Sequence, residues 1–265
     1  GTEMKRLQKS EFFSSWKWIL SVISVALFFI GWYVYGMNSR VPTPIETVKM
    51  LVEMFERKRV GSASLIEHIL SSMKRITLGF VFSCVLGIVL GLLMGWFKTF
   101  RAIFKPIFEM IRPVPGLAWI PLFILWFGIG DKTNIIMIVF GAFVPICLNT
   151  YHGLTHVDPI LVKAGKVLGA NPTQMLLDVA LPDSIPAIVA GMRTSLGSCW
   201  MSVVASEMIV ARSGLGYVIL SAMDSMNYEM VMATMILIAV GCAVYNYLFT
   251  VLERVLCPWQ FLKQK

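Results

Sequence analysis

The chain has 265 residues, of which 57% are hydrophobic and only 14% charged, where a soluble domain carries about a quarter charged. The net charge of +8 would suit a nucleic-acid binder, but the Lys and Arg residues fall in the gaps between apolar runs, where lipid headgroups are met. Composition therefore excludes an ordinary soluble domain and gives no nucleic-acid partner; it points to one all-α, polytopic membrane helix bundle.

A helix needs roughly 20 apolar residues to cross a ~30 Å hydrocarbon core. Six runs come close, at 18–35, 76–97, 115–130, 134–150, 185–210 and 230–251, the third and fourth being short and polar-flanked. The first is too long for a cleavable signal peptide and has no small-residue cleavage site, so residues 1–17 are expected to stay as a cytoplasmic segment. With the N-terminus inside, thirteen basic residues fall on the cytoplasmic side and nine opposite. That balance favours both termini inside, although the basic first loop argues against it.

In that loop, residues 36–75, Val48, Leu51, Val52 and Phe55 repeat at helical spacing behind Pro42 and Pro44. An amphipathic helix at the interface is expected, packed on the bundle. In the second span Gly87, Gly91 and Gly95 recur every four residues, which lets helix backbones approach closely in lipid. Packing within the chain is the expected use, and a dimer contact the alternative. The five cysteines, Cys84, Cys147, Cys199, Cys242 and Cys257, form no close pair and suit buried small hydrophobes.

The stretch at 151–183 has its own punctuation. Asp158-Pro159 is an N-cap followed by proline at the first helical position. Ile160, Leu161, Ala164, Val167 and Leu168 then make an apolar stripe, and Gly169 stops the helix. Asn171-Pro172 starts a second helix with Met175, Leu176 and Val179 on one face, and Pro182 is expected to end it. His152 and His156 have a metal-like i, i+4 spacing, but H-E-x-x-H is missing and Asp158 is the only acid nearby, so no metal site is expected.

Here the string KAGKVLGANPTQMLLDVALP resembles the loop signature of ABC importer permeases: E-A-A, three residues, G, nine residues, I-x-L-P. Lys163, Ala164 and Gly165 take the E-A-A positions, Gly169 is the glycine followed by Ala170, and Val179 precedes the closing Leu181-Pro182. Lys163 replaces the acid and Gly165 an alanine. RPVPGLAWIPLFILWFGIG, residues 112–130, and WMSVVASEMIVARSGLGYVI, residues 200–219, are similar to the third and fifth spans of the nitrate/sulfonate/taurine/bicarbonate importer permeases.

The resemblance implies a type I ABC importer permease fold with a core at 76–252 and a cytoplasmic tail at 253–265. It implies a bacterial plasma (inner) membrane location, a second permease copy in a homodimer, a cytosolic ABC ATPase dimer docked on the loop, and an external binding protein. It favours a small anion as substrate, while family members also carry other small organics. Gly169 should be sensitive to a side chain and the nearby Gly153, outside the pattern, less so. G-x-x-x-x-G-K-[ST] is missing: the one Gly-Lys pair, Gly165-Lys166, has Ile160 where the first glycine belongs. ATP and Mg are therefore expected on partner subunits, and this chain is expected to have no catalytic residue and no cofactor of its own.

Arg193, Gly197, Trp200, Val204 and Glu207 share one helical face and are candidate pathway residues, since charges within a span usually face the bundle interior or a water-filled cavity. Arg193 and Glu207 are about 21 Å apart along the axis and cannot pair. The structural alternatives are Arg193 bonding backbone near the loop and Glu207 meeting water or an interfacial base. Trp119 and Trp126 share a face seven residues apart, and Trp119 is a further pathway candidate against a plain packing role. An ion-gradient transporter would show internal repeats and midplane charges, and a membrane enzyme would show a nucleophile–base cluster; neither pattern is visible.

Overall fold

The computed structural model describes residues 2–57 and 59–256, with side chains at 18–57 and 59–255. The basic side chains of Lys5, Arg6, Lys9 and Lys17, together with Lys58, Cys257, Lys263 and Lys265, lie outside the described residues. Ten helices follow in chain order: α1 Thr2–Met37, α2 Pro44–Glu56, α3 Leu65–Trp96, α4 Lys98–Ile111, α5 Ile120–Phe127, α6 Asp131–Thr155, α7 Pro159–Val167, α8 Pro172–Val210, α9 Leu215–Asp224 and α10 Tyr228–Leu256. A 3₁₀ turn, Gly116–Trp119, leads into α5. No strand occurs among the described residues.

Five of these helices are long and apolar enough to cross a membrane, and the count reaches six if the bent pair of α4 and Gly116–Phe127 is one span. That pair differs from the expected third span. Its two arms meet at 96°, and the arm from Gly116 to Phe127 is only about 20 Å long. Residues 98–111, expected as a cytoplasmic loop, are helical because Phe100, Phe104 and Phe108 repeat every four residues. Phe108 and Phe104 pack with Met94 and Tyr151.

Helix starts follow local chemistry more than hydropathy. α3 begins eleven residues before the expected span at 76. Ser64 and Glu67 form a capping box there: Glu67 N–H donates to Ser64 Oγ at 3.3 Å and Ser64 N–H to Glu67 Oε2 at 2.8 Å. Thr43 and Glu46 do the same for α2, and the Thr43 N–H, then its hydroxyl, hold the Glu46 carboxyl below its ordinary value. The face of α2 that packs is Thr47, Met50 and Met54, joined by Leu51; Val48, Val52 and Phe55 of the expected stripe are exposed. The methionines win because they fill a cluster with Leu65, Val218, Ala222 and Met230 at the outer end of the bundle.

The centre of the fold is the crossing of α3, α6 and α8. The glycine face of α3 packs on α6 within this chain: a Cβ on Gly91 would lie 2.6 Å from the Cys147 carbonyl oxygen, and one on Gly87 2.9 Å from Ile146. Van der Waals packing of this kind substitutes for the hydrophobic drive that lipid removes. α1 stands apart by comparison, tied to the corner before α2 by Trp32 Nε1–H donating to the Pro42 carbonyl at 3.0 Å.

Pro182 does not end a helix. α8 runs unbroken for 39 residues, with Met175–Ala180 in π geometry directly ahead of the proline. There Leu181 N–H reaches back to the Leu176 carbonyl, and the wider turn relieves the clash of a pyrrolidine ring with the carbonyl four residues earlier.

Candidate functional site

α7 and the first turns of α8 form a clasp at the end of the bundle shared with the 96–111 segment and the end of α10. Asp158 caps α7, its Oδ1 accepting from Ile160 N–H at 2.8 Å, while its own N–H donates to Asp183 Oδ2 at 3.2 Å across to α8. At the other end the chain reverses in a Schellman motif: Ala170 N–H donates to the Gly165 carbonyl at 3.0 Å and Gly169 N–H to the Lys166 carbonyl at 3.1 Å. Gly169 has φ +77°, which a residue with a Cβ adopts only under strain, although the space around it is open. Asn171 then starts α8 with a capping box to Gln174.

Gly165 is the buried contact of α7, and a Cβ there would meet Met175 Cε at 2.9 Å. Lys163 and Ala164 are exposed, Ala170 and Leu181 half-buried, and Pro182 exposed on the α8 side of a groove of about 520 Å³. The apolar stripe of α7 therefore looks away from the bundle. Ile160, Val167 and Leu168 are 72%, 87% and 86% exposed, a protruding apolar edge with no partner within the described residues.

Gly153, expected to be less sensitive to a side chain than Gly169, does not fit that reading. It is a helix-crossing residue, and a Cβ there would lie 2.8 Å from the Ala187 Cβ.

The candidate pathway residues divide. Arg193 and Gly197 are exposed and Val204 is half-buried. Arg193 meets neither loop backbone nor solvent alone: its Nη2 donates to Thr250 Oγ1 at 2.9 Å and pairs with Glu253 Oε2 at 2.6 Å, tying α8 to α10. Trp200 and Glu207 turn inward, which corrects their place on an open face. Trp200 is 4% exposed and packs edge-on against Tyr245, because it is the largest side chain available to the α3–α6–α8 core. Trp119 stacks on Phe123 and meets Phe140 at a tilt in a separate cluster, a packing role. The open stripe of α8 is Ala190, Thr194, Gly197 and Met201, rotated to one side of the expected face.

Glu207 is wholly buried at the opposite end of the bundle. Its carboxylate accepts from Arg75 Nη1–H at 2.7 Å, from the Ser72 hydroxyl at 2.8–2.9 Å and from Gly216 N–H at 3.0 Å. Arg75 also donates to the Ser213 carbonyl at 2.6 Å, and its Nε and Nη2 hold Asp131 Oδ1 at 3.0 and 2.6 Å. Gly214 N–H donates to His68 Nδ1 at 3.0 Å, and His68 Nε2–H to the Val60 carbonyl at 2.7 Å. Gly214 has φ +120° and faces the Glu207 carboxylate where a Cβ would collide, so the 211–216 reversal is wrapped around that acid. Sequence reasoning missed this node. His68, Ser72 and Arg75 stand at i, i+4, i+7 on one helical face, a signal present in the sequence but hidden by treating them as loop.

Beside the open stripe of α8 lies a cavity of about 570 Å³, between the α4–α5 link, the middle of α6 and Thr194. Arg112, Asn149 and His152 are its other polar side chains. Pro145 lies in this part of α6 and offers no N–H to the Gly141 carbonyl, so the helical ladder is open where it borders the cavity.

Residues 85–259 match the family model described as binding-protein-dependent transport system inner membrane component. The chain is 32% identical over 255 residues to the taurine transport system permease protein of Escherichia coli strain K12, covering 92% of this chain and 93% of that one. It is also 32% identical to a putative aliphatic sulfonates transport permease protein of Bacillus subtilis strain 168, covering 92% and 88%. Its fold resembles the inward-facing MetNI methionine ABC transporter, with a TM-score of 0.62 at 19% identity over 72% of this chain and 95% of that one. The chain belongs to the binding-protein-dependent inner membrane component family: it is the membrane-spanning permease subunit of an ATP-driven importer, a non-enzymatic component whose ATPase is a separate partner and whose substrate is brought by a binding protein.

Proposed function

We propose that two copies of this chain, related by a two-fold axis in a bacterial plasma (inner) membrane, enclose the pathway for a small anion. A cytosolic ATPase dimer, holding ATP and Mg, drives them through α7 and the start of α8, and an external binding protein delivers the anion. Closed two-fold pairing is the commonest solution for identical subunits. Taurine and aliphatic sulfonates, named for the two relatives, both carry a sulfonate group and support the substrate class. Lys163, Ala164, Gly165, Gly169, Ala170, Leu181 and Pro182 make up the coupling element in this reading, and the stripe through Thr194 and Gly197 faces the pathway.

One observation carries the reading. The exposed edge of α7 is clasped onto a helix that continues without a break from Pro172 to Val210, so the docking surface and the pathway-facing stripe belong to one rigid body about 58 Å long. A push on α7 is therefore delivered to the pathway as a tilt of α8 rather than absorbed in a loop, a bias between two states of the kind ligands and ATP binding exploit.

The test is transport in proteoliposomes containing this chain, its ATPase and the binding protein. Gly169→Val should insert normally and abolish substrate-stimulated ATP hydrolysis, since a branched side chain at φ +77° costs roughly 1–2 kcal/mol and unwinds the Schellman turn. Gly31→Val, at a position with open space around it, should leave transport intact. Full substrate stimulation in the Gly169 variant would remove this segment as the coupling element.

A further inference from the structure

The cavity beside α8 has a charge asymmetry that none of the residues discussed so far explains. Its lining holds no carboxylate and one guanidinium, Arg112, with Asn149, His152 and Thr194 as its other polar side chains. Arg112 is exposed and enters no ion pair among the described residues. The His152 ring faces His156, their centroids 5.8 Å apart. The nearest acid in sequence, Glu109, is turned toward Lys105 at 3.8 Å. Of these groups Arg112 and His152 line the cavity, where the link between α4 and α5 meets α6.

Resting on the pathway reading above, we propose that Arg112 sets the charge preference at the cytoplasmic mouth of the pathway and draws a small monoanion out of it. The size of the cavity decides how. The cavity, about 570 Å³ and open on one side, leaves room for a small anion together with water. The anion stays hydrated, so the mouth works by a focused field rather than by stripping the ion and coordinating it. Effects of several-fold, screened by salt, follow from that; an all-or-none loss does not. Arg112 is thus a specificity-determining residue, in a role that Arg193 cannot take because Glu253 neutralises it.

The test reads the field without using substrate. Thr194→Cys places a thiol on the cavity wall, and in the reconstituted complex its labelling is compared for sulfonatoethyl and trimethylammonioethyl methanethiosulfonate. The background is set by a parent chain with Cys242 and Cys257 replaced by Ser, in which Cys84, Cys147 and Cys199 are buried. The anionic reagent should react faster, and adding Arg112→Gln should lower the anion-to-cation rate ratio roughly five-fold at low salt. Arg112→Lys should keep the ratio, and His152→Gln should leave it near the parent value. If Arg112→Gln assembles poorly, the same ratio measured with Arg112→Lys at low and high salt still decides: a ratio near one at low salt, or one that salt leaves unchanged, overturns the proposal. Labelling that proceeds with a ratio indifferent to Arg112 overturns this inference and leaves the pathway reading standing. If neither reagent reaches position 194 in any nucleotide state, the cavity is off the pathway and both readings fall.

Discussion

Glu207 shows how a single residue changes meaning once its neighbours are known. An acid fourteen residues from Arg193 on one helical face suggests a water-lined pathway, but the carboxylate is wholly buried and accepts from Arg75, Ser72 and Gly216. Glu207→Gln would place an amide against those donors and leave Arg75 short of a counter-charge. Breaking a buried pair from one side costs about 3–5 kcal/mol. Asp131, the other carboxylate on Arg75, is 70% exposed, and losing an exposed partner costs at most about 1 kcal/mol. The expected outcome is a melting temperature for the purified Glu207→Gln protein well below that of Asp131→Asn, which should sit near wild type. Equal melting of the two would show that the node is not what holds the 211–216 reversal. Little of this was legible beforehand. Arg75 lies 132 residues from Glu207 in the chain, and no local pattern joins them.

At the scale of elements, the parts that could be read from sequence are those with a local cause. The Asp158 cap, the glycine that ends α7 and the Asn171 start all appear where their chemistry puts them. The α3 glycines pack on α6 within the chain as their spacing implied. The parts that could not be read depend on what neighbours supply. Pro182 looks like a stop, and only a π turn ahead of it lets α8 continue. The polar first turns of α3 hid its start, and a 96° bend hid the short arm behind α4. The stripe on α2 pointed to the wrong face because two apolar faces flank it and the buried one is chosen by Leu65 and Met230. The glycine crossing gives a direct test. Gly91→Leu would set a side chain against the Cys147 backbone, which cannot yield as a flexible side-chain tip can. It should prevent recovery of a monodisperse protein from the membrane, whereas Gly31→Leu, with nothing within 4 Å, should purify as wild type does. Normal size-exclusion behaviour of the Gly91 variant would contradict close α3–α6 packing.

For the whole molecule, the two ends of the bundle do different work. One end is locked: α3, α6, α8 and α9 meet at Arg75 and Glu207, and the methionine-lined cluster of α2 closes over them. The other end carries the exposed edge of α7 and the cavity lined by Arg112. α8 runs between the two ends, and in the proposed reading movement imposed at α7 pivots on the locked end. The central claim is that the apolar edge of α7 is where the ATPase seats. Native mass measurement of the detergent-solubilised complex tests it most directly, on wild type and on the paired substitution Val167→Asp with Leu168→Asp. The wild-type complex should contain two copies of this chain and two ATPase subunits. In the paired variant the two permease copies should remain together without the ATPase. An intact complex with its ATPase bound despite two charges on that edge would contradict the account.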